Sequence, residues 1–281
     1  MRHHPFGPTR RDVPVVGQGT WYIDSAQRSA AIAALRRGLD LGMTHIDTAE
    51  MYGNGAAEQI VGEAIAGRRE EVFLVSKIVP QHASRSGTIA ACEKSLARLK
   101  TDYLDCYLLH WPGSHPLGET IAGFDHLQRA GKIRAWGVSN FDVDELEEVL
   151  SIAGDGAITC NQVLYHLQER AIEHAVLPWC EAHDVAVVGY SPFGHGNFPG
   201  PRSAGGRALQ EIAQARDATP RQVALSFLTR GPRLFTIPKA SAAQHTADNA
   251  LGGDLRLTEA EVARIDAAFP RGSRPRSLPM L

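Results

Sequence analysis

The chain has 281 residues, is 43% hydrophobic and carries a formal charge of -2; it can bury a large core in one domain or two, and its interspersed charges offer nucleic acid no basic patch. Cys92, Cys106, Cys160 and Cys180 lie far apart in apolar runs without a Cys-x-x-Cys pair, which argues for buried free thiols in a reducing compartment rather than disulfides or a zinc ribbon. No apolar run reaches the roughly 20 residues that cross a bilayer, and the opening His3-His4-Pro5 has no signal-peptide core, so the expectation is a cytoplasmic protein with no membrane partner.

Eight short apolar runs read as strands, at residues 15–21, 44–48, 72–77, 104–110, 135–139, 158–163, 186–191 and 234–238. They are apolar on both parities, as in a parallel sheet covered on both faces. Helical spacing fills the gaps. After Ser25 the stripe is Ile32, Leu35 and Leu39, with Gly42 as its cap. After Ser86 it is Ile89, Cys92, Leu96 and Leu99. Asp142 and Glu145 form a capping box ahead of Leu146, Val149 and Leu150. Thr219-Pro220 pairs an N-cap with a first-turn proline, and Thr258 with Glu261 opens a last helix carrying Val262, Ile265 and Phe269.

Eight strand-then-helix units in one run predict an α/β protein, a (β/α)8 TIM barrel, in a single domain over residues 1–281. A doubly wound sheet would carry Gly-x-Gly-x-x-Gly after its first strand. Here Gly17-Gln18-Gly19-Thr20-Trp21 runs into Tyr22 and the third glycine is missing. The stretch 194–206, rich in Gly and Pro, follows the seventh strand and is expected to be a mobile flap over the site.

In such a barrel, chemistry sits where strands end. Asp47 ends the second strand, with Tyr52 in the loop beyond; Lys77 ends the third and His110 the fourth. Neighbouring strands are about 4.8 Å apart, so these four side chains can meet. Taken singly, each has a plain structural reading: a turn residue, half-buried packing, a strand-end charge, a satisfied core histidine. Four at consecutive strand ends share one explanation. An ammonium beside a phenol favours its ionised form, and one such contact is worth about 4 kcal/mol at roughly 4 Å. Asp47 can hold Lys77 charged, and a neutral His110 can hydrogen-bond a carbonyl oxygen beside Tyr52 while a hydride reaches its carbon. No side chain delivers hydride, so a cofactor must. Ser139, Asn140, Asn161 and Gln162, at the ends of strands five and six, could pin a carboxamide. Tyr190 could stack on a flat ring. Lys239, with a helix starting near Ser241, could hold a phosphate.

The segments GQGTW, HIDTAEMYG, LVSK, YLDCYLLHW, GKIRAWGVSNF, CNQVLYH, GYSPFG and IPKA resemble the aldo/keto reductase family along almost the whole chain, above all short bacterial members that reduce methylglyoxal and related aldehydes. The resemblance implies a barrel closed at its base by an N-terminal β-hairpin, here around residues 5–15. It implies a monomer or weak homo-oligomer that uses NADPH, without metal or flavin, on a small-molecule carbonyl substrate. Tyr52 would be the general acid, tuned by Lys77 and Asp47, and His110 would orient the carbonyl. Ser139, Asn140 and Gln162 would hold the nicotinamide amide and Tyr190 would stack beneath its ring, with Gly19, Thr20 and Trp21 lining the same pocket. Ser191, Pro192, Phe193 and Gly194 would strap the pyrophosphate. Lys239, Ala240 and Ser241 would take the adenosine 2′-phosphate, with His245 and Asn249 at the adenine.

Three departures stand out. His245 occupies a position where many members have arginine, and Phe193 one where leucine is common. The loop 111–116 and the tail after Phe269 are short, which implies a shallow, open site walled by Trp21, Tyr52 and Trp111 and selective for small aldehydes and dicarbonyls. Two rival readings are a redox-sensing regulatory subunit with slow turnover, and a metal-dependent barrel hydrolase or isomerase. The latter would need His, Asp and Glu ligands at strand ends, yet only His45 and His110 of twelve histidines fall in strand runs.

Overall fold

The computed structural model describes residues 1–281. Strands β1 (His3–Pro5) and β2 (Asp12–Pro14) form an antiparallel hairpin that pairs His4 with Val13. This is the hairpin expected near residues 5–15, displaced toward the N-terminus. A tight turn over Gly7–Thr9 and a left-handed Arg10 occupy the middle of that span.

Eight parallel strands follow, each paired with the next in the chain: β3 (Gln18–Gly19), β4 (His45–Asp47), β5 (Phe73–Ile78), β6 (Leu104–Leu109), β7 (Ile133–Ser139), β8 (Cys160–Leu164), β9 (Ala186–Tyr190) and β10 (Leu234–Thr236). The ring closes between last and first. Val16 bridges Thr236 and Gly19 bridges Lys239, and the Gly17 N–H donates to the Thr236 carbonyl at 2.8 Å. Gly17 has to lack a side chain, because a Cβ there would lie 2.8 Å from the His45 carbonyl oxygen. The eight strands fall within or beside the eight expected runs, and closure makes them the predicted (β/α)8 barrel.

The outer helices are α1 (Arg28–Asp40), α2 (Ala56–Ala64), α3 (Arg85–Leu99), α4 (Leu117–Arg129), α5 (Val143–Ala153), α6 (Val176–Ala182), α7 (Ala204–Ala215), α8 (Pro220–Leu228), α9 (Ala243–Gly252) and α10 (Glu259–Ala268). The capping boxes at Asp142 and Thr258 form as read from the sequence, and Thr219 makes a third with Gln222. Two starts differ. The α3 cap is Ser84, which accepts from the Gly87 N–H, so Ser86 lies inside the first turn. α9 begins two residues after Ser241. The glycine-rich stretch ends as a loop at Ser203, the cap of α7.

Two apolar layers result. Outside the strands, one large core joins strands to helices. Inside, Val75, Cys106, Leu108, Ala135, Cys160 and Val188 fill the cylinder. Phe6 of the hairpin plugs its base, with ring centroids 4.7 Å from Phe73 and 4.9 Å from Phe235. All four cysteines are free and buried. No helix is long and apolar enough to cross a membrane.

A buried ionic knot ties the last elements to the barrel. Glu173 accepts from Arg170 at 2.6 and 2.9 Å, from Arg230 at 3.0 Å and from the Tyr165 hydroxyl at 2.5 Å. Arg170 also donates to Asp266 of α10 and to the Phe269 carbonyl. Burial works against the Glu173 carboxylate, but its Arg and Tyr donors prevail and hold its pKa down at about 2. A depressed carboxylate stabilises the fold above its unfolded pKa and loses that contribution as pH falls through its folded pKa. Urea unfolding should therefore show Glu173 losing about 3 kcal/mol of contribution between roughly pH 4.5 and pH 2. Glu173→Gln, which leaves two guanidinium groups without their carboxylate, should cost about 3 kcal/mol at neutral pH.

Candidate active site

Strand register delivers the four ionisable groups. Asp47 pairs with Val75, and Lys77 lies two residues further along β5, so it points into the barrel one layer higher. Lys77 pairs with Leu108, and His110 lies two residues beyond that. Each therefore inherits the inward parity of an apolar residue below it. Tyr52 enters from the turn after β4. Its N–H donates to the Ala49 carbonyl at 3.1 Å, and Gly53, Asn54 and Gly55 then run through left-handed conformations, with φ of 54°, 52° and 90°. The reversal leaves the Tyr52 ring beside the barrel mouth, and Asn54 is the one of the three for which that backbone is uncommon.

The Lys77 ammonium is fully enclosed, with three acceptors: Asp47 Oδ1 at 2.5 Å, the Thr48 carbonyl at 2.8 Å and the Tyr52 hydroxyl at 3.3 Å. Burial alone would lower its pKa; Asp47 and Tyr52 more than reverse this, and Lys77 stays protonated. The Asp47 carboxyl is raised above its ordinary value, because burial outweighs the lowering by the ammonium on one oxygen and by Gln162 Nε2 at 2.7 Å on the other. For Tyr52 the sequence expectation needs correction. Burial raises the phenol pKa, with Asp47 adding to it, and outweighs the lowering by Lys77. The phenol is thus held protonated. His110 is pushed well below its ordinary value by burial and by Lys77, and is a neutral imidazole. Its ring lies edge-on to Tyr52, with centroids 5.7 Å apart, and its buried Nδ1 has no partner.

These groups form the floor of a cavity of about 630 Å³. Asp47, Tyr52 and His110 line it, and Lys77 lies behind them. Gly19, Thr20, Trp21 and Trp111 form one side, with Thr20 Oγ1 donating to the Asp47 carbonyl at 2.9 Å. Ser139, Asn140, Gln162 and Tyr190 form another. Ser191, Pro192, Phe193 and Lys239 continue it. Asn161 lines no part of the cavity; it is buried against the Phe141 backbone. Gly194, in the loop after β9, also lies outside it, as do Ala240, Ser241, His245 and Asn249, beyond Lys239 and along α9. The Asn140 amide is engaged within the protein, donating to the His110 carbonyl and to Ser139 Oγ and accepting from the Tyr190 hydroxyl.

The site is deeper than the short loop and tail suggested. The tail returns to the mouth, and Met280 and Leu281 line the cavity together with Tyr22, Met51 and His195. The His195 ring stacks on Trp21 at 5.1 Å between centroids, so the loop after β9 reaches across the opening. Met51 and Tyr22 adjoin the Tyr52 and Trp21 motifs and were findable from the sequence. The tail and His195 carried no periodic or motif signal.

The sequence pattern of the aldo/keto reductase family matches residues 15–269. The chain is 45% identical over 271 residues to the methylglyoxal reductase YeaE of Escherichia coli, covering 96% of this chain and 95% of that protein. It is 32% identical over 257 residues to a glyoxal reductase of Bacillus subtilis, covering 91% and 89%. A crystal structure of an aldo/keto reductase from Klebsiella pneumoniae in complex with NADP and acetate superposes with a TM-score of 0.93 at 42% identity, over the whole of both chains. Barrel, buried Lys–Asp–Tyr cluster and sequence agree: the chain belongs to the aldo/keto reductase family.

Proposed function

We propose that the chain is a cytoplasmic NADPH-dependent reductase that converts small aldehydes, ketones and dicarbonyls to alcohols, with Tyr52 as proton donor, and that one domain over residues 1–281 does so as a monomer or weak homo-oligomer. The observation that carries this reading is the Lys77 ammonium fixed between Asp47 and the Tyr52 hydroxyl at the floor of a cavity that His110 also lines. NADPH, when bound, supplies the hydride for the carbonyl carbon. As negative charge builds on the carbonyl oxygen, Tyr52 gives up its proton there, and Lys77 stabilises the phenolate left behind. The raised phenol pKa keeps the donor loaded, and the ammonium lowers the cost of unloading it. A neutral His110 with its proton on Nε2 offers the oxygen a second hydrogen bond and leaves the unpartnered Nδ1 as the acceptor.

The residues present fit the cofactor. Gln162 spends its Nε2 on Asp47, which leaves Oε1 without a protein partner for a carboxamide to use. The half-buried Tyr190 ring lines the same wall, with its hydroxyl pinned by Asn140. Lys239 is exposed and has only the Ser241 hydroxyl, at 3.3 Å, as a partner. α9 opens after Ala242, whose side chain caps nothing, so its first N–H groups are free to meet a phosphate. The crystal structures of the Klebsiella relative with NADP and NADPH support this choice, and the relatives named for methylglyoxal and glyoxal support a dicarbonyl substrate.

Purified protein should oxidise NADPH with methylglyoxal and with 4-nitrobenzaldehyde; inactivity on both sinks the substrate reading. Tyr52→Phe should leave the NADPH dissociation constant nearly unchanged while turnover drops roughly 10²-fold or more. A collapse of NADPH affinity with turnover preserved would show that Tyr52 has another role. Because His110 is held neutral and the Tyr52 phenol protonated, kcat/KM for reduction should be flat from about pH 5.5 to about pH 9, without an inflection near 6.5, and fall at higher pH as Tyr52 ionises. An acid limb centred near 6.5 would remove the assignment of a neutral His110.

A further inference from the structure

Arg221, the second residue of α8, is an exposed cation beside the cavity that makes no ion pair or hydrogen bond within the protein. Its guanidinium lies over two rings of the loop after β9, 5.6 Å from the centroid of Phe193 and 5.1 Å from that of Phe198. Those rings meet edge to face at 5.8 Å. A cation–π contact uses the charge of a guanidinium and leaves its N–H donors unmatched.

Three elements converge at this point. Phe193 lines the same cavity as Lys239, and it packs on the small apolar cluster that includes Leu225 of α8 and Ala250 of α9. Arg221 lies one turn before Leu225 on α8. α8 is locked to α9 by Gln222, whose Nε2 donates to Asp248 Oδ1 at 2.7 Å and to the Asp248 carbonyl at 3.2 Å. The nearby carboxylate is thus engaged by an amide, and Arg221 is left without a counter-ion. The start of α9 meanwhile offers an anion its uncapped N–H groups, the Lys239–Ser241 pair and the exposed His245 imidazole. Lys239 is the only permanent cation among these, too few for a dianionic phosphate. One aromatic ring, Phe193, separates Lys239's cavity from a second permanent cation.

We propose that Arg221 is a cofactor-selecting residue: its guanidinium swings from the Phe193–Phe198 pair onto the adenosine 2′-phosphate and, with Lys239, makes the chain prefer NADPH to NADH. This rests on the NADPH reading above. The planar fork of a guanidinium suits two phosphate oxygens at once, where Lys239 can offer only a point charge. The aromatic pair holds Arg221 near the site without neutralising it.

The test is calorimetric binding of two fragments that differ only by the phosphate in question, 2′,5′-ADP and 5′-AMP, to wild type, Arg221→Ala and Arg221→Lys. Unchanged melting temperatures would establish that the variants are folded. Arg221→Ala should weaken 2′,5′-ADP about 10-fold or more while leaving 5′-AMP unchanged, and Arg221→Lys should fall between. Wild type should lose affinity for 2′,5′-ADP more steeply with added salt than Arg221→Ala does. Equal losses for both fragments would mean that Arg221 only anchors the loop, and no loss would mean that it never reaches the phosphate; either overturns the proposal. A wild type that binds 2′,5′-ADP no more tightly than 5′-AMP would instead overturn the NADPH reading on which the proposal stands.

Discussion

An ammonium sealed inside a protein has to be compensated, and the compensation of Lys77 organises everything around it. Removing two charges from water costs several kcal/mol per ion unless each finds close partners. Lys77 finds three acceptors and Asp47 two donors, and beyond the pair itself the partners come from two parts of the chain: Thr48 and Tyr52 from the loop after β4, Gln162 from β8. The pair is therefore a constraint on where these elements can sit. It draws the Tyr52 hydroxyl inward, and it ties β8 to β4 across the cylinder through Gln162.

That constraint acts within a frame that other forces supply. Ring closure between Val15–Gly19 and the end of β10 fixes the register of eight strands, and register decides which residue of each strand faces inward at which height. The layers stack from the Phe6 plug through Val75 and Leu108 to Lys77 and His110. The apolar layers make the site dry, and dryness is what turns His110 neutral and keeps the phenol protonated. The polar cluster depends on the apolar core beneath it for its electrostatics as well as its position.

The sequence disclosed most of this because the relevant signals are local. An ionisable residue at or just past the end of an apolar run is visible at Asp47, Lys77 and His110, and capping boxes are visible at Asp142 and Thr258. The eightfold alternation gave the barrel. What stayed hidden depends on distance or solvent. The bond from Gln162 to Asp47 spans 115 residues, and Gln162 read only as a cofactor ligand. Charge alone predicts that Lys77 lowers the Tyr52 pKa, whereas burial, which no single residue announces, sets the direction. Met280 and Leu281 reach the cavity at the end of a tail with no helical or strand pattern, and the Arg170–Glu173–Asp266 knot that holds Phe269 joins α10 to the turn before α6 without a shared motif.

The plugged base has a consequence for proton traffic. Phe6 shuts the lower end of the cylinder, and His45 above it is buried with both ring nitrogens unpartnered, its pKa pushed down to about 3 mainly by burial. His45 therefore has no hydrogen-bond partner through which a proton could pass up to Lys77. In the reaction proposed above, the proton that Tyr52 gives up is then replaced from the cavity side, once the cavity has emptied. On that proposal, reloading Tyr52 and clearing the alcohol share one opening, and a tight lid over it would slow both.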